Sequence, residues 1–220
     1  MSYLPNVQYQ ALYAKYLRHR SADELIDVAG IVRGKVVWDL CCGGGEMAFS
    51  CFMQGAARIF AVDSCEKMMG EFLTQHFNPP KVTRCTMAVE DFLGDDSKRD
   101  PEPDIVLCRQ AVNYWLNEQT VKDLANRMPK GSVFVFNTFN RKPGKIPHVK
   151  SYDFEGHDFV EVSWCLGNYV LHVQIRDGME PHMTSFWWIS PEDFRELLGE
   201  WFSIKKTDDG HTSIYKCVRK

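Results

Sequence analysis

Apolar residues fall along the chain in two alternating patterns. Short runs rich in β-branched and aromatic residues, each bounded by charged residues or glycines, are typical of buried strands. Apolar residues at helical spacing separate these runs and predict covering helices. The alternation favours an α/β fold with a mostly parallel sheet and helices on both faces. The predicted strands lie at residues 36–40, 58–62, 81–86, 104–108 and 132–138, and the predicted helices at 6–29, 46–52, 64–77 and 117–128.

Between Phe159 and Ile189 the pattern changes to an alternation with a period of two, which predicts antiparallel strands. Gly167-Asn168 is typical of a two-residue hairpin turn. With that turn, one face of the hairpin is polar and the other is apolar, and we expect the apolar face to pack on the rest of the domain. The predicted cross-strand pairs are Glu161 with Gln174, Ser163 with His172, Trp164 with Leu171, Val162 with Val173, and Val160 with Ile175.

After the hairpin, the chain returns to the α/β pattern. Ser190-Pro191-Glu192 predicts the start of a helix, and Trp201–Ile204 and Ser213–Val218 predict a closing hairpin. We therefore expect a single domain over residues 1–220, with a seven-stranded, mostly parallel sheet whose last strand is antiparallel. Its expected additions are an N-terminal helical cover at residues 1–30 and an antiparallel β insertion, between strand five and the last helix, at residues 150–189.

Composition and charge argue against several classes of partner. The 220 residues are 45% hydrophobic and 25% charged, and no apolar run approaches the ~20 residues of a membrane span. No basic segment leads into an apolar one near Met1, so we expect a cytoplasmic protein without a signal peptide. The formal net charge of −3 and the scattered basic residues argue against a nucleic-acid partner, because a phosphate backbone usually requires a basic face.

The eight cysteines show no C-x-x-C spacing, and several lie inside apolar strands. We therefore expect free buried thiols rather than a disulfide framework or a zinc site. No metal is expected at the functional site.

The first predicted strand runs directly into a glycine turn, and a predicted helix follows from Glu46. Gly43, Gly44 and Gly45 let the backbone turn sharply and approach a ligand closely, since they have no Cβ atoms. The unpaired amides at the helix start add hydrogen-bond donors and the positive end of the helix dipole. A tight strand-to-helix turn without a ligand is the alternative interpretation.

Residue spacing favours a ligand site over a plain turn. Gly43, Gly45 and Ala48 satisfy the G-x-G-x-x-G/A pattern of dinucleotide sites, and Asp63 follows about twenty residues later, after the second predicted strand. A carboxylate at that place can accept hydrogen bonds from both hydroxyls of a ribose. Asp39 places a second acid beside the loop.

Two segments resemble motifs of a known family, the class I (Rossmann-like) S-adenosylmethionine (SAM) dependent methyltransferases of small-molecule type. Val37–Gly45 resembles the first motif, in which an acidic residue ends strand one before G-x-G, and Phe60–Met68 resembles the second. The resemblance extends from Tyr9 to Lys220 and is specific in these two segments. It implies SAM as cofactor and S-adenosylhomocysteine as product. A carboxylate such as Asp39 suits the ammonium and sulfonium of SAM better than the pyrophosphate of NAD(P).

The resemblance also implies residues that bind the cofactor. Asp63 would bind the ribose, and Met68 would pack near the adenine. The acid common at the start of the family's third motif is Ala88 here, so recognition of the adenine amino group is expected to shift to Glu90 or Asp91, unless both are exposed turn residues. The implied cofactor-binding residues are Tyr16, Asp39, Cys41, Gly43, Gly45, Asp63, Ser64, Met68, Val89, Glu90, Asp91 and Arg109.

Tyr9 and Tyr16 allow two interpretations. They resemble tyrosines that close over SAM or substrate in the N-terminal helix of some small-molecule methyltransferases. Their spacing with Leu12 and Tyr13 is also typical of a packed helical stripe.

The segment after strand four resembles the family's fourth motif, which passes beside the methyl group and the substrate. Arg109, Gln110, Asn113 and Tyr114 are therefore site candidates, with Tyr114 a predicted catalytic residue. They leave the carboxyl end of the strand, where open α/β sheets bind ligands.

His172 is the second predicted catalytic residue. On the polar face of the hairpin, beside Glu161 and Ser163, it could accept a hydroxyl proton, since a histidine with a pKa near ~6.5 suits a base at neutral pH. A solvated polar face is the alternative interpretation.

The expected function is transfer of a methyl group from SAM to an oxygen or nitrogen of a small-molecule metabolite, with the inserted sheet covering the substrate. A monomer and a homodimer both stay open. Two alternatives are a non-catalytic binding or partner protein with the SAM fold, and an NAD(P)-dependent oxidoreductase. The second leaves Asp39 and the terminal hairpin unexplained.

Overall fold

A computed structural model of the chain describes residues 22–66, 68–69, 80–95, 97, 101–139, 142, 144–154, 157–176, 181–208 and 212–220. Described residues between 142 and 190 form a smaller compact unit, and the others form a larger one. The elements, in chain order, are α1 (Ala22–Ala29), β1 (Val36–Leu40), α2 (Glu46–Met53), β2 (Arg58–Asp63), β3 (Val82–Thr86), α3 (Val89–Gly94), β4 (Ile105–Arg109), a 3₁₀ helix (Val112–Tyr114), α4 (Glu118–Arg127), β5 (Val133–Phe139), β6 (His148–Phe154), β7 (His157–Leu166), β8 (Tyr169–Arg176), β9 (His182–Trp187), α5 (Pro191–Gly199), β10 (Phe202–Asp208) and β11 (Thr212–Arg219).

The larger unit is built on a seven-stranded sheet with the order β10-β11-β5-β4-β1-β2-β3. β1 to β5 are parallel to one another, whereas β11 is antiparallel to both of its neighbours. This arrangement confirms the predicted mostly parallel sheet with an antiparallel last strand. The central strands were predictable because they are buried on both faces and read as continuous apolar runs.

The two faces of this sheet bury different kinds of side chain. On one face, aliphatic residues of the strands pack on α1 and α2 in a cluster that includes Leu25 and Met47. On the other face, the Trp38 ring meets Phe92 of α3 with 4.9 Å between ring centroids, and Phe136 stacks on Tyr215 at 4.8 Å. Helices therefore cover both faces, as the sequence predicts.

The smaller unit contains a four-stranded antiparallel sheet with the order β6-β7-β8-β9. All five predicted cross-strand pairs of the β7–β8 hairpin are present. The sequence did not predict β6, because Lys150, Ser151 and Asp153 break up its apolar pattern. The antiparallel insertion is thus one strand longer at its start than the alternation indicates.

Burial in the smaller sheet is the reverse of the sequence expectation. Glu161 and Gln174 on the polar face are buried, and Phe159 and Cys165 on the same face are buried with them. Trp164 and Leu171 on the apolar face are only half-buried. The prediction that the Trp164–Leu171 face is the packed one is therefore wrong. The polar positions can be buried because Gln174 Nε2 donates a hydrogen bond of 2.9 Å to Glu161 Oε1.

Several predicted features fall outside the described residues. These are Tyr9, Tyr16 and the first part of the N-terminal helix, together with most of the predicted helix at residues 64–77. All eight cysteines are free thiols, and six of them are buried. Within the described ranges, no helix is long and apolar enough to cross a membrane.

Candidate functional site

The candidate site lies at the carboxyl ends of the central strands of the larger sheet. β1 has β2 on one side and β4 on the other, and the direction in which successive strands are added reverses between β1 and β4. A crevice forms at such a point because the segments that leave the two strands diverge. The glycine loop follows β1, Asp63 ends β2, and Arg109 ends β4.

The glycine loop makes a sharp turn in the left-handed region of backbone space. Gly43 has a φ of 55° and Gly45 a φ of 79°, which glycine adopts without strain. Cys41 has a φ of 56°, a conformation that costs a residue with a side chain roughly 1–2 kcal/mol. The turn is held by the Gly45 amide, which donates to the Cys42 carbonyl at 2.9 Å. Strain of this kind persists where the surrounding structure fixes it, and it is common at functional sites.

Asp63 holds the glycine loop against the end of β2. Its Oδ2 accepts a hydrogen bond of 2.8 Å from the Gly43 amide, and its Oδ1 accepts one of 2.8 Å from the Cys65 amide. Burial raises the pKa of Asp63, and these two amides oppose the shift. Each carboxylate oxygen can accept a further hydrogen bond. The role of Asp63 at a ribose therefore stays a prediction. Its contact with the glycine loop is observed and was not predicted from the sequence.

Asp39 lies directly beneath the loop and is fully buried. Neither of its carboxylate oxygens accepts a hydrogen bond from any residue that the structure describes. Burial raises its pKa to about 7, although the Arg109 guanidinium and the Ala48 amide in the first turn of α2 lower it. The amide is close, but its geometry falls short of a hydrogen bond. A buried carboxylate without a donor is costly, so the site is suited to a cationic group that would hold Asp39 ionised.

Arg109 pairs with Glu46, which the sequence did not single out. Arg109 Nη2 lies 2.7 Å from Glu46 Oε2, so the ion pair joins the end of β4 to the first residue of α2. Glu46 is also favoured there by the positive end of the helix dipole. The predicted contact of Arg109 with a cofactor stays a prediction. Two features of the sequence could have indicated this ion pair: an acid directly after G-x-G, and an arginine at the end of a predicted strand.

A second contact joins the ends of β4 and β5. Asn137 is fully buried on β5, and its Oδ1 accepts a hydrogen bond of 3.0 Å from the Gln110 amide. Asn113 Nδ2 donates to Thr138 Oγ1 at 3.2 Å. Asn137 Nδ2 and Asn113 Oδ1 are buried, and neither has a partner among the described residues. In the sequence, the feature that could have indicated this part of the site is the pair of polar residues that ends the apolar run of strand five.

The predicted adenine side of the site contains Met68 and the start of α3. A Cβ added to Gly43 would lie 3.4 Å from Met68 Cε, so the methionine side chain packs on the loop. Val89 is buried in the first turn of α3, while Glu90 and Asp91 beside it are exposed. The structure thus brings Met68 to the glycine loop and leaves the two carboxylates at the surface.

Two further predicted cofactor residues flank the loop. The neighbouring Cys108 thiol, together with burial, raises the pKa of Cys41 well above its usual range. Cys41 is therefore expected to act as a neutral thiol. Ser64 follows Asp63 and is exposed.

The two predicted catalytic residues lie in different units. Tyr114 is exposed at the end of the 3₁₀ helix in the larger unit. His172 lies on β8 in the smaller unit, where its Nε2 is 3.8 Å from Glu161 Oε1. Tyr16 is outside the described residues. Among the residues with described positions, no group of three or more His, Cys, Asp and Glu side chains could hold a metal ion.

Comparison with sequence families finds no match. No protein-family model matches the chain, and no curated protein matches it either.

Solved structures match the chain along nearly its whole length. An S-adenosylmethionine-dependent methyltransferase from Clostridium acetobutylicum ATCC 824 has a TM-score of 0.76 and 17% identity, over 97% of this chain and 98% of that chain. SAM-bound CalS10, an amino pentose methyltransferase from Micromonospora echinaspora, has a TM-score of 0.71 and 16% identity, over 98% and 99%. The sugar N-methyltransferase KedS8 from Streptoalloteichus sp ATCC 53650 has a TM-score of 0.72 and 16% identity, over 100% and 95%.

These matches extend beyond the large sheet. Because each covers more than nine-tenths of both chains, it includes the four-stranded antiparallel insertion as well as the seven-stranded sheet. The identities are too low to carry over an activity, but the strand order and the insertion agree with the resemblance noted in the sequence. The chain therefore has the fold of S-adenosylmethionine-dependent methyltransferases.

Proposed function

We propose that this protein is a SAM-dependent methyltransferase that transfers a methyl group to an oxygen or nitrogen of a small-molecule metabolite. The observation that carries the proposal is Asp39, a fully buried carboxylate beneath the glycine loop whose oxygens have no hydrogen-bond partner among the described residues. A ligand with a positively charged group would satisfy it. The ammonium of SAM is such a group.

The residues around Asp39 fit the rest of SAM. The left-handed turn at Gly43 keeps Cβ atoms away from the loop surface, so a ligand can approach the backbone. Asp63 has remaining acceptor capacity for the two ribose hydroxyls. Met68 and Val89 supply apolar surface suited to an adenine ring, and Glu90 or Asp91 would accept from its amino group. Tyr16 would complete the cover, as the family resemblance implies.

The same features disfavour a nicotinamide cofactor. The pyrophosphate of NAD(P) carries negative charge, which Asp39 would repel, whereas Asp63 suits the ribose of either cofactor. The antiparallel β10–β11 hairpin at the sheet edge is likewise part of the methyltransferase-type strand order.

Bound SAM would supply an electrophilic methyl group, and the residues of the chain would supply position and proton acceptance. Asp39, Asp63 and the loop would fix the cofactor, an effect of positioning that can reach ~7–11 kcal/mol in favourable cases. Tyr114 would help to orient the acceptor. His172, with Glu161 beside it, would take the proton of a hydroxyl acceptor. An amine acceptor would need the base less, because its neutral form already carries a free lone pair.

The solved structures support a small-molecule acceptor. CalS10 is an amino pentose methyltransferase and KedS8 a sugar N-methyltransferase, and both match almost the entire chain. We propose that the acceptor of this protein is likewise a small molecule, with a free hydroxyl or amino group. Residence in the cytoplasm is part of this proposal.

Calorimetry with SAM, S-adenosylhomocysteine and NAD tests the cofactor. We expect SAM to bind and NAD not to bind, and we expect Asp39→Asn to weaken SAM binding at least tenfold. Asp104→Asn is a matched control, since Asp104 lies at the opposite, amino-terminal ends of β1 and β4, where it accepts from the Val36 amide at 2.8 Å. Equal affinities in the two variants would contradict the assignment of Asp39.

Mass spectrometry of reactions with isotopically labelled SAM and a metabolite extract tests catalysis. A labelled methyl group on a small molecule, together with release of S-adenosylhomocysteine, is the expected result. Tight SAM binding without any transfer across the extract would instead favour the non-catalytic binding protein.

A further inference from the structure

The polar face of the smaller sheet places three long polar side chains next to one another. Glu161 on β7 lies directly opposite Gln174 on β8, and His172 lies two residues before Gln174 on the same face. His172 is therefore the diagonal neighbour of Glu161, within reach of a long side chain. Glu161 and Gln174 are 8% and 7% exposed, so this part of the face is packed rather than solvated.

One oxygen of Glu161 faces both of these neighbours. Glu161 Oε1 accepts a hydrogen bond of 2.9 Å from Gln174 Nε2 and lies 3.8 Å from His172 Nε2. The side chain of His172 is 26% exposed against 10% for that of Glu161, so the imidazole is the more accessible member of the pair. The three groups form a chain in which an amide fixes a carboxylate and the carboxylate faces an imidazole.

The donor that holds Glu161 is neutral. A buried carboxylate is costly unless it accepts hydrogen bonds, and the Gln174 amide supplies one without adding a positive charge. Lys150 is the residue opposite Glu161 on β6, but it is exposed, and water and salt screen its charge. Glu161 can therefore keep its negative charge beside the imidazole.

The position of Glu161 decides which nitrogen of His172 carries the proton in the neutral ring. A carboxylate stabilises an N–H group that points towards it, and Nε2 is the nitrogen that faces Glu161. The tautomer with hydrogen on Nε2 is therefore favoured, and its lone pair is on Nδ1. A proton can be accepted only at the nitrogen that has the lone pair.

We propose that Gln174 is a positioning residue for methyl transfer to a hydroxyl acceptor: it holds Glu161, which in turn holds His172 in the tautomer whose Nδ1 accepts the proton. The hydroxyl proton passes to Nδ1, and the oxygen bonds to the methyl carbon while the carbon–sulfur bond breaks and leaves its electron pair on sulfur. Glu161 then stabilises the imidazolium, as an ionised carboxylate stabilises a nearby cation. This inference deepens the proposed function and rests on it, but the state of the imidazole can be measured without methyl transfer.

Nitrogen-15 spectroscopy of the imidazole rings tests the proposal on the full chain. Long-range proton–nitrogen spectra at about pH 9, well above the usual histidine pKa of ~6.5, show which nitrogen of a neutral ring carries hydrogen. The signals of His172 are identified by their absence in His172→Ala. We expect hydrogen on Nε2 in the wild type. In Gln174→Met, which has a side chain of similar length and no donor, we expect a mixture of both tautomers.

Two more variants make this test specific. Gln174→Asn keeps an amide but withdraws it from Glu161 by one methylene, so it should also give mixed tautomers, and it decides the question if Gln174→Met does not fold. Gln119→Met is the matched control, because Gln119 Nε2 also donates over 2.9 Å to a carboxylate, that of Asp123 on α4. The spectrum of His172 should be unchanged in this control.

Turnover separates positioning of the base from cofactor binding. In reactions with labelled SAM and a metabolite extract, Gln174→Met should form O-methylated products roughly tenfold more slowly, a smaller loss than the ~10²–10⁴-fold that a general base itself contributes. N-methylated products should be affected much less. The affinity for SAM, measured by calorimetry, should be unchanged.

The proposal is overturned if the wild-type ring carries its proton on Nδ1, or if Gln174→Met and Gln174→Asn are folded by circular dichroism and both keep the wild-type tautomer. It is also overturned if both variants lose the tautomer preference but keep the wild-type rate of O-methylation. Absence of SAM binding in the wild type would overturn the proposed function instead. The nitrogen spectra would still decide whether Gln174 holds His172 in one tautomer.

Discussion

Asn137 on β5 holds the backbone of Gln110 at the end of β4. The Gln110 amide donates to Asn137 Oδ1 at 3.0 Å, and Gln110 has a φ of 57°, in the left-handed region that few side-chain-bearing residues adopt. The hydrogen bond crosses between adjacent strands at the carboxyl edge of the sheet. Asn137 thus fixes the direction in which the segment leading to Tyr114 leaves β4.

Replacing Asn137 with alanine should destabilise the fold. The Gln110 amide would lose its hydrogen bond to Asn137 Oδ1, and one such bond contributes roughly 0.5–1.5 kcal/mol. Urea unfolding of Asn137→Ala should show that loss in the free energy of unfolding. The control is Asn168→Ala, whose side chain accepts from Lys142 Nζ at 2.5 Å at an exposed turn and should matter far less. Equal losses in both variants would argue against a special role for Asn137.

Gly43→Ala should weaken SAM binding because the added Cβ would stand on the loop. A control at Gly167 separates this effect from backbone strain. A Cβ at Gly43 would meet Met68 Cε at 3.4 Å and would stand on the loop, at a φ of 55°. Gly167 has a similar φ of 63°, but a Cβ there would meet nothing within 4 Å. Both alanine variants should lose about 1 kcal/mol of stability. Only Gly43→Ala should lower SAM affinity in calorimetry, and a matching loss in Gly167→Ala would contradict the loop assignment.

The raised pKa of Asp39 predicts a pH dependence of stability. Its pKa is about 7 in the folded chain and 3.8 as the ordinary value, so the folded state binds the proton more tightly. The contribution of Asp39 to stability is therefore fully present below pH 4 and falls as the pH rises towards 7. The slope in the middle of that range is roughly 1.4 kcal/mol per pH unit for one proton. Subtracting the unfolding profile of Asp39→Asn from that of the wild type should isolate this slope, and a flat difference between pH 4 and 7 would refute the assignment.

Binding of SAM should release the Asp39 proton. A cation beside the carboxylate favours the ionised form, so SAM affinity is expected to rise with pH between 6 and 8. Calorimetry at pH 6 in two buffers of different ionisation enthalpy measures the number of protons released. Asp39→Asn should release fewer protons than the wild type, whereas Asp104→Asn should release as many.

His172→Ala should leave SAM affinity unchanged and lower turnover on a hydroxyl acceptor. His148 provides the control, because it lies in the same cross-strand row, opposite Ser163, but on the edge strand. His148→Ala should keep wild-type turnover. Unchanged turnover in His172→Ala would remove His172 from the catalytic group. A loss confined to hydroxyl acceptors would further separate a base from a residue that merely shapes the site.

The parts of the fold that the sequence predicts are those decided by local patterns. β1 and β2 are predicted because four of the residues in each are buried and nearly all of these are apolar, with Asp39 the exception in β1. The β7–β8 register is predicted because Gly167-Asn168 fixes the turn and the alternation shows which residues share a face. β6 is missed because its strand character comes from pairing with β7, which its own polar sequence does not reveal.

The parts of the site that the sequence misses depend on contacts between distant segments. Glu46 and Asn137 are recognised only through Arg109 and Gln110, the partners that they contact from distant parts of the chain. The same reason explains the error about the smaller sheet. Alternation shows that the two faces of a hairpin differ, but which face is buried depends on what lies against it. That information is absent from the hairpin itself.

The position of β11 in the sheet has a consequence for how the chain is made. β11 pairs with β5, which ends at Phe139, although β11 begins only at Thr212, after the entire insertion. During synthesis β5 is therefore an open edge of the sheet until β11 is made. Until then, Phe136 also lacks the ring of Tyr215 that stacks on it in the folded chain. An open edge of this kind can pair with another chain. The nascent protein should depend on chaperones until β11 has left the ribosome, and slowing translation within the insertion should increase aggregation.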